Sequence, residues 1–256
     1  MTTKWILSLA ALAAVSVAGA TPFAYAINYH QDLMRLDLNS SATVMIGNIG
    51  FTGQGLAALS TGQLLATDTN GKLHDVTGGG NVLIGNLGAL DIGSIDSTGS
   101  TLWGYDNTSQ RMFEYDPTSA TFLQWSPTLS IPNLRALTID ANGDFLFVSP
   151  GAAFGVDRFG KITKSTWTVN QINSNMGLAD HCEAMDFLSD GKLYAAVLGD
   201  TRYEIDPTTG VPIAGFFSGT HRDWSDMTSA TAVPEPATLA TLGLLGVGLF
   251  KRRKRG

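Results

Sequence analysis

Between about residue 27 and residue 232, apolar residues fall in runs of four to seven separated by short, glycine-rich polar turns. Such runs, bounded by Gly, Asn and Asp and rich in β-branched and aromatic residues, predict strands rather than helices. Four stretches share an order of apolar strand, turn, apolar strand, second turn and a further strand: Leu56–Val76, Ile92–Pro117, Leu134–Asp157 and Glu183–Pro207. Leu59, Ile95, Leu137 and Met185 hold equivalent places, 36, 42 and 48 residues apart, and Met227 follows 42 residues later. The repeat domain stops where that fifth unit would continue, while Leu33–Leu38 matches the outer half of a unit. A period near 40 residues with about four strands predicts a β-propeller of about five blades, and a β-sandwich is the alternative. The C-terminal strand would join the N-terminal strands in one blade, so that no long edge is left exposed.

The turns fit this architecture. Asp68-Thr69-Asn70-Gly71, Ala141-Asn142-Gly143-Asp144 and Ser189-Asp190-Gly191 supply residues that accept positive φ in tight hairpins. Asp116-Pro117-Thr118 and Asp206-Pro207-Thr208-Thr209-Gly210 set the first central φ of a turn through proline. These corners resemble those of PQQ-like, NHL-like and related propeller repeats, a likeness that bears on architecture and not on activity.

The two ends differ from the centre. Residues 1–26 have one early positive charge, Lys4, an apolar run from Trp5 to about Ala20, and then Ala24-Tyr25-Ala26. This reads as a helical signal peptide cut in a small-x-small pattern at Ala24 and Ala26, giving a mature start at Ile27; Ala18-Gly19-Ala20 offers an alternative cut. Residues 233–256 contain Val233-Pro234-Glu235-Pro236, an uncharged apolar stretch at 237–250, and the basic tail Lys251-Arg252-Arg253-Lys254-Arg255. The apolar stretch is shorter than the roughly 20 residues of an ordinary spanning helix, and the long basic side chains extend it by snorkelling. The basic cluster favours the cytoplasmic side. This order resembles the PEP-CTERM sorting signal of Gram-negative bacteria. The resemblance implies export through the Sec translocon and a precursor anchored in the inner membrane by a C-terminal transmembrane helix. It further implies processing by exosortase near Pro234-Glu235-Pro236, delivery to the cell surface or matrix, and an association with exopolysaccharide or biofilm.

Charge sharpens the reading of residues 27–233, which hold 10 Lys and Arg against 21 Asp and Glu, a net of −11. An acidic domain repels phosphates, which argues against nucleic acid as a partner. With Cys182 as the one cysteine no internal disulfide can form.

Candidate chemistry is sparse. Asp180-His181-Cys182-Glu183 is the densest functional cluster, but alternation along a strand puts His181 and Glu183 on one face and Cys182 on the other. That geometry separates a cysteine nucleophile from its base and predicts a buried thiol. His30, His74, His181 and His221 follow no metal-binding spacing, so neither metal nor other cofactor is expected. Asp140-x-Asn142-Gly143-Asp144 and Asp68-x-Asn70-Gly71 echo calcium loops, yet the twelfth position of a loop that begins at Asp140 is Gly151 and not Glu. Gly78-Gly79-Gly80 lacks the Gly-Lys-Ser/Thr of a phosphate loop and predicts a flexible hairpin tip. The recurrent aromatics Trp103, Tyr105, Tyr115, Trp125, Trp167, Tyr194, Tyr203 and Trp224 suit blade cores, or alternatively a surface on which sugars stack. The expectation is an exported, non-catalytic binding or scaffold module. The alternative is an extracytoplasmic propeller enzyme, a lyase or glycosidase with two carboxylates facing one another.

Overall fold

A computed structural model describes residues 23–37, 42–88, 90–151, 153, 155–199, 201–217 and 223–229. Residues 1–22 of the signal segment, Val233–Pro236, the apolar stretch at 237–250, the basic tail and His221 lie outside the described residues. No helix among the described residues is long and apolar enough to cross a membrane.

Among the described residues, twenty strands form five antiparallel four-stranded blades. Blade 1 contains β1 (Phe23–Asn28), β2 (Asp32–Asp37) and β3 (Thr43–Asn48). Blade 2 contains β4 (Gly53–Ala58), β5 (Leu64–Asp68), β6 (Lys72–Asp75) and β7 (Val82–Asn86). Blade 3 contains β8 (Ile92–Thr98), β9 (Thr101–Asp106), β10 (Arg111–Asp116) and β11 (Thr121–Trp125). Blade 4 contains β12 (Ala136–Ile139), β13 (Phe145–Pro150), β14 (Asp157–Thr163) and β15 (Thr168–Asn173). Blade 5 contains β16 (Cys182–Phe187), β17 (Leu193–Val197), β18 (Thr201–Ile205) and β19 (Pro212–Phe217). The last strand, β20 (Trp224–Ser229), returns to blade 1 as its innermost member, giving the order β20-β1-β2-β3. The five-bladed ring is therefore closed as the repeat predicts. Leu59, Ile95, Leu137, Met185 and Met227, the repeated positions, are all buried on or beside the innermost strands.

Each pair of neighbouring blades shares one apolar cluster. Ala24, Ala26, Met34, Trp224 and Met227 of blade 1 pack on Ala184, Leu188, Tyr194 and Ala196 of blade 5. Ile27 and Leu33 face Leu56, Leu64 and Ala66 of blade 2. Strands near the axis are covered on both faces, so β5 and β17 are buried at every position and read as continuous apolar runs. The outermost strands are covered less, and Val44, Leu83 and Leu123 stay exposed.

β1 overlaps the expected N-terminal boundary. It begins at Phe23, four residues ahead of Ile27, and pairs with β2 on one side and β20 on the other. Ala24 and Ala26 are fully buried against blade 5, while Ile27 on the opposite face packs towards blade 2. Their small size has a packing reason, and it coincides with the pattern of a cleavage site. Gly78-Gly79-Gly80 also differs from a free tip. Thr77–Gly79 forms a 3-10 turn, and a Cβ on Gly47 of β3 would sit 2.7 Å from the Gly79 carbonyl oxygen. The glycines here allow two backbones of neighbouring blades to touch.

Candidate functional site at the channel mouths

The innermost strands β4, β8, β12, β16 and β20 surround the axis and touch in sequence around the ring. Their inward edges have no neighbouring ladder, and short polar side chains fill that role at every junction. Asp226 Oδ2 accepts from the Leu56 amide at 2.8 Å, joining blade 1 to blade 2. Ser97 Oγ donates to the Ala58 carbonyl at 2.5 Å, joining blade 3 to blade 2. Asp96 Oδ2 accepts from the Ile139 amide at 2.8 Å, joining blades 3 and 4. Thr138 Oγ1 donates to Asp186 Oδ1 at 2.7 Å, joining blades 4 and 5, and Asp186 Oδ2 accepts from the Ser229 amide at 2.5 Å to close the circle. Burial pushes Asp226 well above the ordinary carboxylate range, against the pull of the Leu56 and Met227 amides. Burial, aided by the charge of Asp186, does the same to Asp96. Asp186 is raised by burial to about 6 despite the Thr138 hydroxyl and Ser229 amide.

These groups plug the axis and leave a cup at each end. At the C-terminal ends of the inner strands, Asp96, Ser97, Asp186, Phe187 and Ser229 help line a cup of about 200 Å³. At the N-terminal ends lies a cup of about 190 Å³ to which all five blades contribute: Tyr29 and Ser225, Gln54, Gly93 and Asn107, Asn133 and Arg135, and Glu183. The Arg135 guanidinium lies 3.1 Å from Glu183 Oε1. Burial raises Glu183 to about 7, with Arg135 opposing. The Tyr29 hydroxyl bonds to Glu183 and is pushed up to about 12 by burial and that neighbouring charge. The side-chain oxygens of Gln54 and Asn107 are buried at the edge of this cup with no partner among the described residues. Gly93 and Leu134 form part of its wall, and the close approach of their backbones requires glycine, since a Cβ there would overlap the Leu134 carbonyl oxygen. A wider groove of about 640 Å³ between blades 4 and 5 is floored by Ile139, Leu146, Ile172 and Phe187, and of its polar residues Asp140 and Lys161 are already paired with one another.

The Asp180–Glu183 cluster divides as strand alternation requires. Cys182 is fully buried among Met176, Leu178 and Met185, whereas Glu183 faces the cup. Burial, then the charges of Asp157 and Glu183, push the thiol well above its ordinary value. His181 Nδ1 lies 3.2 Å from Asp157 Oδ1 rather than serving the thiol. Native protein is therefore expected to react with thiol reagents only on the timescale of unfolding, and Cys182→Ala to cost about 1 kcal/mol. Rapid labelling of the folded chain at neutral pH would contradict the burial.

The other sequence candidates disperse. His74 in β6 stacks on Phe51 and meets Asn81 Oδ1 at 2.7 Å, and His30 lies 3.7 Å from the Asp223 carboxylate. No group of three metal-ligating side chains occurs among the described residues. The calcium-like acids are turn acceptors: Asp68 Oδ1 takes the Asn70 and Lys72 amides, and Asp140 Oδ1 those of Asn142 and Asp144. Trp103, Tyr105, Tyr115, Tyr194 and Trp224 are buried in blade cores and offer no stacking surface. The aromatic at the cup is Tyr29, which the repeat pattern did not single out.

Comparison with known proteins bears on the tail and on the fold. Residues 232–255 match the family described as the PEP-CTERM protein-sorting motif. The chain carries that sorting motif. It marks an exported protein, targeted to exosortase from a membrane-anchored precursor at the cell envelope. No curated protein matches the chain. Among solved structures, a chain of the nidogen/laminin complex is 12% identical with a TM-score of 0.53, covering 81% of this chain and 84% of that one. A protein of unknown function from Bacteroides caccae is 10% identical with a TM-score of 0.51, covering 80% of this chain and 77% of that one. At these identities the likeness concerns the fold.

Proposed function

We propose that this chain is an exported, non-catalytic binding module whose ligand site is the Tyr29–Arg135–Glu183 cup, and that the ligand is a small neutral polyhydroxylated compound such as one sugar unit. The observation that carries this reading is the convergence of polar groups from all five blades on one closed-ended cup. Its volume is below the ~300 Å³ at which pockets for drug-sized ligands begin. Asp91 and Glu183 accept, Arg135 donates, and Tyr29, Ser225, Asn107 and Asn133 do both. Sugar hydroxyls combine donor and acceptor and suit that mixture, and the net −11 of the domain opposes anions. Attachment to exopolysaccharide at the cell surface or in the matrix follows from such a site on a protein bearing this tag.

A lyase or glycosidase is the second reading, favoured by the Asp96–Thr138–Asp186 cluster. Both acids are committed to backbone amides of inner strands, Asp96 to Ser97 and Ile139 and Asp186 to Phe187 and Ser229, which supports a structural role. Calorimetric titration with neutral hexoses and their oligosaccharides tests the preferred reading. Binding should be lost on Arg135→Ala and Glu183→Ala, and Gly93→Ala, whose Cβ would overlap the Leu134 carbonyl oxygen, should weaken it by displacing the wall between blades 3 and 4. Heat of binding that survives all three changes would exclude this cup.

Processing at both ends belongs to the same reading. A cut after Ala26 would remove Phe23–Ala26 from blade 1, whereas a cut after Ala20 leaves β1 whole. Intact mass of exported material should therefore give an N-terminus at Thr21 and loss of the chain from about Pro236 onward. Replacing Pro234, Glu235 and Pro236 by Ala should hold the protein in the inner membrane, and release of that variant would count against exosortase processing.

A further inference from the structure

The inner strands run from the Tyr29 cup towards the Asp96 cup. β20 ends at Ser229, which lines the Asp96 cup, and β1 runs antiparallel to it with Ala24 opposite Ser229. The N- and C-terminal segments therefore leave the folded body through the same face. Two residues separate Phe23 from Ala20 at the end of the first apolar run, and seven separate Ser229 from the second at Ala237. Seven residues span at most about 25 Å even when fully extended. A domain of this length has a radius of gyration of about 17 Å and is some 40 Å across. Neither tether is long enough to let the body turn over.

We propose that, while either apolar segment holds the chain in the membrane, the propeller stands with its Asp96 mouth towards the lipid headgroups and its Tyr29–Arg135–Glu183 cup away from them. The orientation is imposed by the tethers and not by charge, because the turns of the membrane-side face carry Asp116, Asp190 and Asp206 beside Lys164 and Lys192, with no excess of positive charge to draw an anionic surface. The ligand cup remains open before processing, and removal of the tail uncovers the Asp96 mouth. This inference rests on the anchoring half of the proposed function and is independent of what the cup binds.

Full-length chain with Cys182→Ala, kept in native inner membranes by replacing Pro234, Glu235 and Pro236 with Ala, provides the test. Single cysteines are placed at Thr61 or Ser100, exposed in turns of the Asp96 face, or at Thr69, exposed in a turn of the opposite face. The probe is a maleimide joined to a bulky polyethylene glycol. Thr61→Cys and Ser100→Cys should label severalfold more slowly in membranes than in detergent, and Thr69→Cys at the same rate in both. Membrane protection of Thr69→Cys, or equal rates at all three positions, overturns the orientation. A chain that an alkaline wash strips from the membranes overturns the anchoring on which it rests, and sugar titration of the soluble domain remains a separate result.

Discussion

A domain that begins at Ile27 is expected to lose its closed ring, whereas one that begins at Thr21 keeps it. The four residues Phe23–Ala26 pair with Asp37, Leu36, Arg35 and Met34 of β2, and three of them also pair with Ser229, Thr228 and Met227 of β20. Without them β20 has no partner strand within blade 1 over most of its length. Its amides and those of β2 face a gap in a buried place, and Met34, Trp224 and Met227 lose Ala24 and Ala26 as neighbours. Each ladder bond contributes about 0.5–1.5 kcal/mol net, so the ladder alone is worth on the order of 5 kcal/mol. That is comparable to the entire margin of an ordinary domain, about 5–15 kcal/mol. Urea unfolding of the two forms, each ending at Val233, reads the difference. The longer form should show one steep transition and the shorter one a broad, early transition with aggregation through exposed strand edges. Two equally steep curves would restore Ala24-Tyr25-Ala26 as a cleavage site. Deleting residues 219–230 attacks the same junction from β20 and should have the same result.

The strand count explains what could be read from the chain and what could not. Leu59, Ile95, Leu137, Met185 and Met227 were legible because inner strands are buried on both faces and repeat at blade spacing. Closure was legible from the half-unit at Leu33–Leu38 and the orphan strand at Met227. β1 was obscured because Ala24 and Ala26 are small for packing against blade 5, and small-x-small is also what a signal cut requires. The junction residues leave a trace in the repeat. The residue after each repeated position is short and polar at Asp96, Thr138, Asp186 and Thr228, but its bond across to the next blade exists only once the ring is closed. The cup was the least legible part. Tyr29, Gln54, Asn107 and Arg135 come from four different blades and share no spacing, so only ring closure brings them together.

The axial carboxylates predict that the domain is more stable in mild acid than at neutral pH. Thr138 has one hydroxyl proton, yet its oxygen lies 2.7 Å from Asp186 Oδ1 and 3.2 Å from Asp96 Oδ2. It can donate fully to only one of them, so a proton held by the pair relieves both the contact and the repulsion. Burial raises Asp186 from 3.8 to about 6. A raised folded-state value stabilises fully below the unfolded pKa, near 3.9, and that contribution disappears as pH rises through the folded value. For Asp186 alone the loss between pH 4 and pH 7 is at most about 3 kcal/mol. Glu183, raised to about 7, carries the decline further towards neutrality. Asp68 and Asp140 act in the opposite sense. Burial opposes ionisation in both, but the Lys72 and Asn70 amides at Asp68, and Lys161 with the Asp144 amide at Asp140, hold them below their ordinary value. Their contribution is lost as pH falls through the acid range, so the stability maximum is expected at about pH 4–5. Asp186→Asn removes the titrating charge. The new amide cannot accept from both Phe187 and Ser229, so absolute stability should drop, and the informative quantity is the slope. Urea midpoints measured from pH 4 to pH 8 should fall less steeply between pH 5 and pH 7 in Asp186→Asn than in the parent. A parent chain most stable at pH 8, or a variant with the parent's slope, would mean that Asp186 takes up no proton in the folded ring over this range.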